Sequence, residues 1–208
     1  MKTSKLSASA VLGLGMLLGA GMAAAQVPDS ASDCVACHNE NGVSDDPAVP
    51  IIAGNAAFFI ENQLAMFAQE ARPCEADYFA SKDDVSAESH CTIVADLSED
   101  DYADIAAYFE ELPFVPADQE FDADLASQGE SIHTKSCDRC HTEAGSLAFD
   151  EAGILAGQWK EYLTEQIGYY KTGKRWQPEK MAPEIEELSD ADVEALVNFY
   201  AREGSRFE

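Results

Sequence analysis

Two five-residue runs constrain this chain more than anything else in it: CVACH at 34–38 and CDRCH at 137–141, set 103 residues apart. One helical turn separates the two thiols of such a run, so both reach the two vinyl groups of one porphyrin and form thioethers. The next residue, a His, then lies under the iron as an axial ligand. A redox Cys pair has no need of that His, and a zinc site needs further ligands close by. Two covalently bound haem c groups are therefore expected, on Cys34 and Cys37 and on Cys137 and Cys140. His38 and His141 are the expected proximal iron ligands.

The runs open a longer internal repeat. AGNAAFFIENQL at 53–64 falls on AGQWKEYLTEQI at 156–167 with the same offset, which also pairs Gln63 with Gln166, Phe67 with Tyr170 and Arg72 with Arg175. The register then shifts. LSEDDYADIAAYF at 97–109 matches LSDADVEALVNFY at 188–200 with an offset of 91, so the first half carries 12 extra residues between Arg72 and Leu97. Both of these segments predict helices. Ser98 and Ser189 stand as N-caps with Asp101 and Asp192 three positions on, and apolar residues follow at helical spacing. No convincing strand pairs occur, and the Pro-containing ELPFVPADQE reads as a connector. The expected fold is all-α, with domain 1 at 26–112, a linker at 113–120 and domain 2 at 121–208. Halves of about 90 residues bury a thin core, and a flat porphyrin in each supplies the missing apolar mass.

A haem iron usually takes a second axial ligand, commonly Met or His. In the second half Met181 lies in a polar, Pro-containing loop seven residues before Leu188. The offset of 91 carries Met181 onto His90, which stands seven residues before Leu97. No Met lies between Arg72 and Leu97, so His90 is the expected sixth ligand of the first haem. The alternatives are Met66, the sulfur of Cys91, or an iron left open beside a surface His. With four Cys used by the haems, Cys74 and Cys91 remain and bracket the insertion. They are expected to form a disulfide closing an 18-residue loop, which the loop-entropy model values at about 3 kcal/mol. Lys171, Lys174, Arg175 and Lys180 read either as a docking patch or propionate clamp, or as a solvated helix end. His133, four residues before Cys137, is expected to pack or hydrogen-bond near a haem edge.

Residues 1–25 carry Lys2 and Lys5, a short apolar run and a closing Ala-Ala-Ala. That is the pattern of a secretory leader cleaved after Ala25, and the run is shorter than the ~20 residues of a membrane span. The expected location is the periplasm, where disulfides persist. The formal charge of -26 becomes -28 once the two leader lysines go. Nucleic acid and anionic membrane surfaces are then poor partners. Docking to a basic partner and simple solubility both accommodate such a charge.

Taken together, CxxCH, AGQWKEYL, GKR, Met181 and LSDADVEALVNFYA resemble the diheme cytochromes c. These include the c4-type carriers and the cytochrome subunit of flavocytochrome c sulfide dehydrogenase. The stretch from FDADLASQGESIHTKSCDRCHTEAG to ILAGQWKEYL, and the short lead before Cys34, lean toward the latter. The resemblance implies two tandem class I cytochrome c-like domains packed face to face. It carries over Cys34, Cys37, His38, Cys137, Cys140, His141 and Met181, and implies a backbone carbonyl holding each proximal His, from Pro50 in the first half and Gly153 in the second. His90 departs from it, standing where the family usually has Met.

The implied function is electron transfer. Met ligation raises a haem potential relative to two His, so the first haem is expected to be the low-potential one, pushed further down by Glu75, Asp77, Asp83, Asp84 and Glu88 of the insertion. No Gly-rich nucleotide fingerprint is present. A flavin donor would therefore sit on a separate sulfide-oxidising flavoprotein subunit. The alternative is a free c4-like shuttle feeding a terminal oxidase. A rival of another class is a thiosulfate-oxidising diheme enzyme with Cys91 on the first iron.

Overall fold

The computed structural model describes residues 26–74 and 89–207. The leader at 1–25 and the acidic insertion residues Glu75, Asp77, Asp83, Asp84 and Glu88 lie outside the described residues. Every regular element among the described residues is helical.

Domain 1 opens with a 3-10 turn, Asp29–Ala31, and the CxxCH helix α1, Val35–His38. It continues through α2, Ala57–Ala68, and the short α3, His90–Ala95, to α4, Glu99–Glu110. Domain 2 opens with the long α5, Ala123–Ser136, followed after its CxxCH run by the kinked α6, Thr142–Gly145. Then come α7, Lys160–Lys171, the short α8, Ala182–Glu186, and α9, Asp190–Arg202.

The chain sets these boundaries with local chemistry. Both final helices start on the capping boxes read from sequence. Asp101 N–H donates to Ser98 Oγ at 3.2 Å while Ser98 N–H donates to Asp101 Oδ2 at 2.8 Å, and Ser189 and Asp192 repeat the exchange at 3.2 and 2.9 Å. Each box satisfies donors that a helix start leaves without intrahelical partners. α2 and α7 have no cap of their own. Their first amides are met from elsewhere in the fold: Ala57 N–H donates to Glu110 Oε1 at 2.7 Å, and Lys160 N–H to Gln119 Oε1 at 3.0 Å.

Each domain has its own small apolar core. Ala31, Ile60, Ile105, Ala106, Tyr108 and Phe109 pack together in domain 1, and Leu163, Val193, Leu196, Val197, Phe199 and Tyr200 do so in domain 2. Fully burying one such side chain contributes about 1.5–3 kcal/mol, so neither cluster is large. The segment expected as a linker is docked. Ala117 N–H donates to Gly157 O at 2.8 Å, Gln119 Nε2 donates to Gln158 O at 2.8 Å, and Pro116 lies against Gly157.

The two domains meet through matched residues of the repeat. Ile51 N–H donates to Gln158 Oε1, and Ile154 N–H donates to Asn55 Oδ1, both at 2.9 Å. Positions 51 and 154, and positions 55 and 158, are equivalent at the offset of 103. One interaction is thus made twice, once in each direction, which is the signature of a pseudo-two-fold contact. Asymmetric bonds add to it: Tyr162 N–H to Pro47 O at 3.0 Å, Trp176 N–H to Ala71 O at 2.7 Å, and Trp159 Nε1–H to Ser44 Oγ at 3.1 Å.

Candidate haem sites

In both CxxCH runs the His amide closes a helical bond to the first Cys. His38 N–H donates to Cys34 O and His141 N–H to Cys137 O, each at 3.0 Å. Cys34, Cys37, Cys137 and Cys140 are free of disulfides, as thioether attachment requires. His38 is 7% exposed, and its Nδ1 lies 2.9 Å from Pro50 O. A protonated Nδ1 there fixes the tautomer and leaves Nε2 as the metal-binding nitrogen.

On the other side of the first site His90 is the first residue of α3. Ser89 caps that helix by accepting from Thr92 N–H at 3.3 Å. Cys91, the second residue, is bonded to Cys74, with the Cα atoms 5.4 Å apart. The disulfide therefore ties the start of α3 to the chain that follows α2. Phe67 of α2 stacks on the His90 ring, with centroids 4.3 Å apart and planes 8° from parallel. The ring so held has its centroid 6.3 Å from that of His38. Metal–imidazole bonds are about 2 Å long, and a ring nitrogen lies roughly 1 Å from its centroid. Two imidazoles in line across one metal therefore stand roughly 6 Å apart. Burial keeps both rings neutral, as metal binding needs. His38 is pushed down to about 4 by burial and more weakly by Arg72. His90 is pushed down to about 3 by burial, then by His38 and Arg72.

In the second site Met181 occupies the N-cap of α8, half-buried, with its N–H donating to Pro178 O at 2.9 Å. This is the counterpart of His90 at the start of α3. The Cys137 thiol is raised chiefly by burial and more weakly by the charge of Glu184. His141 is lowered by burial and then by His133. The bond that orients His38 has no counterpart at His141 among the described residues. Gly153, expected to supply that carbonyl, faces the interface, where a Cβ would meet the tip of the Phe59 ring at 2.7 Å. His133 is buried, and its Nδ1 lies 3.0 Å from the Tyr200 hydroxyl. The Tyr200 ring stands edge-on to the His133 ring, with centroids 5.6 Å apart.

The basic residues before Met181 separate into different roles. Lys171 Nζ donates to Leu188 O at 2.8 Å and pairs with Asp190 at 3.3 Å, holding α7 to the start of α9. Lys174 lies over the Tyr169 ring, and Lys180 is exposed. Arg175 is buried at the domain interface with Arg72, Gln63 and Gln166. Sequence reading aligned these four residues across the repeat and assigned a role only to Arg175, as part of a docking patch or propionate clamp. Their recurrence at one offset was the signal available.

These observations test whether the residues fit two porphyrins. Four cysteines outside any disulfide and two proximal imidazoles that burial keeps neutral match the attachment chemistry. Arg72 Nε and Arg175 Nε are buried without a hydrogen-bond partner, as befits cations that await the carboxylates of a ligand. The residues fit the group.

Comparison with known proteins agrees. The family model for the cbb3-type cytochrome c oxidase subunit III matches residues 124–199, the body of domain 2. Cytochrome c4 of Pseudomonas aeruginosa is 28% identical over 94% of this chain and 97% of its own length. The chain is similar to the diheme cytochromes c4. Its fold is two tandem class I cytochrome c domains, and it carries two covalently bound haem c groups. The crystal structure of reduced recombinant cytochrome c4 from Pseudomonas stutzeri superposes with a TM-score of 0.66 at 24% identity, covering 82% of this chain and 93% of that one. A thiosulfate dehydrogenase from Marichromatium purpuratum gives a TM-score of 0.62 at 22% identity, covering 81% of this chain and 36% of that longer one. The protein is thus a cytochrome c4-like electron-transfer protein.

Proposed function

We propose that the protein relays single electrons from domain 1 to domain 2, with a His/His haem as the low-potential end and a His/Met haem as the high-potential end. The observation that carries this reading is the 6.3 Å separation of the His38 and His90 rings. Each bound haem supplies a one-electron Fe(III)/Fe(II) couple. The residues bias the two couples in opposite directions. Two imidazoles favour the oxidised iron, whereas the thioether of Met181 opposite His141 favours the reduced one. The disulfide and the Phe67 stack fix His90 in place, so its ligation is pre-organised.

The partners follow from the same reading. A donor of lower potential meets domain 1, and the sulfide-oxidising flavoprotein subunit expected from sequence fits that place. An acceptor such as a terminal oxidase meets domain 2, and a c4-like shuttle would use the same two ends. The proposed location is the periplasm, after removal of residues 1–25. No helix among the described residues is long and apolar enough to cross a membrane. The disulfide removes Cys91 from the pool of thiolates, which counts against the thiosulfate-oxidising alternative.

The test is a redox titration that resolves each haem by its spectrum. Two separated midpoints, with the His/His haem the lower, support the relay. Equal midpoints, or a lower His/Met haem, overturn it.

A further inference from the structure

Glu143, Ala144 and Gly145 follow the second CxxCH run with φ of 52°, 62° and 73°. That is the left-handed region, where the Cβ of an L residue crowds the backbone. Of their counterparts in domain 1, Glu40, Asn41 and Gly42, only Gly42 has a positive φ. Two left-handed L residues in succession persist only where the surrounding structure holds them. Asp150, at the end of the 3-10 turn Ala148–Asp150, supplies that hold. Its Oδ2 accepts from Thr142 N–H at 2.7 Å, and the Thr142 hydroxyl donates to Oδ1 at 3.0 Å and to Oδ2 at 2.8 Å. Thr142 directly follows His141, so the clamp closes on the backbone of the proximal ligand. Within the clamped loop Gly145 N–H donates to His141 O at 3.0 Å.

The clamp brings a negative charge as well as bonds. Burial and the charge of His133 lower His141, and the Asp150 carboxylate acts against both. Domain 1 is built differently at the same place. Position 47, the counterpart of Asp150 at the offset of 103, is Pro, and position 39, the counterpart of Thr142, is Asn. Asn39 Nδ2 donates to Val43 O at 2.8 Å and, in an exposed bond, to Asp45 Oδ2 at 3.1 Å. The polar contact made by His38 is with the neutral carbonyl of Pro50. One proximal imidazole is thus steered by a carbonyl, and the other has a carboxylate fastened to the residue beside it. Groups that neighbour a ligating imidazole orient it and tune the metal.

We propose that Asp150 is a positioning residue of the second haem site, which clamps the chain at His141 and lowers the redox potential of haem 2. The inference rests on the relay reading only in taking His141 as an iron ligand. A carboxylate close to that ligand favours the oxidised iron by Coulomb attraction. The thioether of Met181 acts in the opposite sense. Asp150 therefore narrows the step between the two haems, and it does so from the proximal side. Removing its charge raises the potential of haem 2 and leaves that of haem 1 in place.

The experiment is a spectrally resolved redox titration of the diheme protein carrying Asp150→Asn, with Thr142→Val and Glu151→Gln alongside. Asp150→Asn keeps the size of the clamp and removes its charge. Thr142→Val keeps the charge and removes the hydroxyl, and Glu151→Gln removes the exposed charge next to it in sequence. Haem content of two per chain and unchanged EPR g-values certify intact attachment and ligation. The expected result is a higher midpoint for haem 2 alone in Asp150→Asn, with parental midpoints in the other two variants. Asp150→Ser, whose hydroxyl can still accept from the Thr142 amide, should raise haem 2 in the same way, and carries the test should Asp150→Asn fail to load both haems. An unmoved haem 2, an equal rise in both haems, or the same rise in Thr142→Val or Glu151→Gln overturns the assignment. The order of the midpoints in the parent tests the relay, and the change between parent and variant tests Asp150, so the two failures are told apart.

Discussion

In domain 2, α5 crosses α9 so closely that a Cβ on Gly129 would overlap the Ala195 carbonyl oxygen. In domain 1 a single 3-10 turn, Asp29–Ala31, takes the place of that helix against α4. Domain 1 carries in exchange a feature that domain 2 lacks, the Cys74–Cys91 disulfide from the chain after α2 to the start of α3. The two domains keep in common the CxxCH turn, the capped final helix and the reciprocal interface bonds. They differ in what stabilises the shell and in the residue that the proposed relay puts on the distal side of each iron. The repeat thus keeps the CxxCH turn and the contact between domains in common, and leaves stability to a different device in each half.

The comparison breaks most completely at the distal residue. Replacing His90 by Met should make domain 1 resemble domain 2 and raise the potential of its haem by on the order of 0.1–0.3 V, within the roughly 0.8 V span that axial ligands control. Spectroelectrochemistry measures this, and an unchanged midpoint would mean that His90 is not on the iron. Next in size is the disulfide. Cys74→Ser with Cys91→Ser should lower unfolding free energy by about 3 kcal/mol, the loop-closure value for this span, read from denaturant melts. The same variant should broaden the EPR signal of haem 1 while leaving that of haem 2 sharp. Gly129→Ala acts on domain 2 alone. Forcing α5 away from α9 should cost about 1–3 kcal/mol, seen as loss of the domain 2 transition at lower denaturant.

The smallest effect belongs to a feature the halves share. Asp101 and Asp192 are held below the usual carboxylate range by their capping hydrogen bonds to Ser98 and Ser189. A depressed folded pKa contributes stability that is present above the unfolded carboxylate pKa and is lost as pH falls through the folded value. Acid titration followed by circular dichroism should show a small helix loss in each of Ser98→Ala and Ser189→Ala already at neutral pH. These variants should then respond less to acid than the parent protein, and equally in both domains.

Much of this was legible because the repeat ran through the sequence twice. The offset of 91 placed His90 opposite Met181 before any coordinates did, and both occupy the start of a short helix that precedes the last one. Two thiols left over from attachment pointed to the Cys74–Cys91 bond. Other features were not readable. The α3 helix begins at His90 itself, and six residues with a lone Ser89 cap are too short to show a period. Phe67 stacks on His90 through a contact between segments far apart in sequence. Gly153 was read as the counterpart of Pro50, and nothing in the sequence showed that it faces Phe59 across the interface. Gln63, Arg72, Gln166 and Arg175 aligned in the repeat, but only the docking of the domains puts two like charges side by side.

Low-temperature EPR of the fully oxidised protein tests the central claim most directly, because the g-values report the ligand pair of each ferric haem. The account predicts two low-spin signals of equal intensity, one of the bis-imidazole type from His38 and His90 and one of the His/Met type from His141 and Met181. Two His/Met signals, a His/thiolate signal or a high-spin component from domain 1 would contradict it.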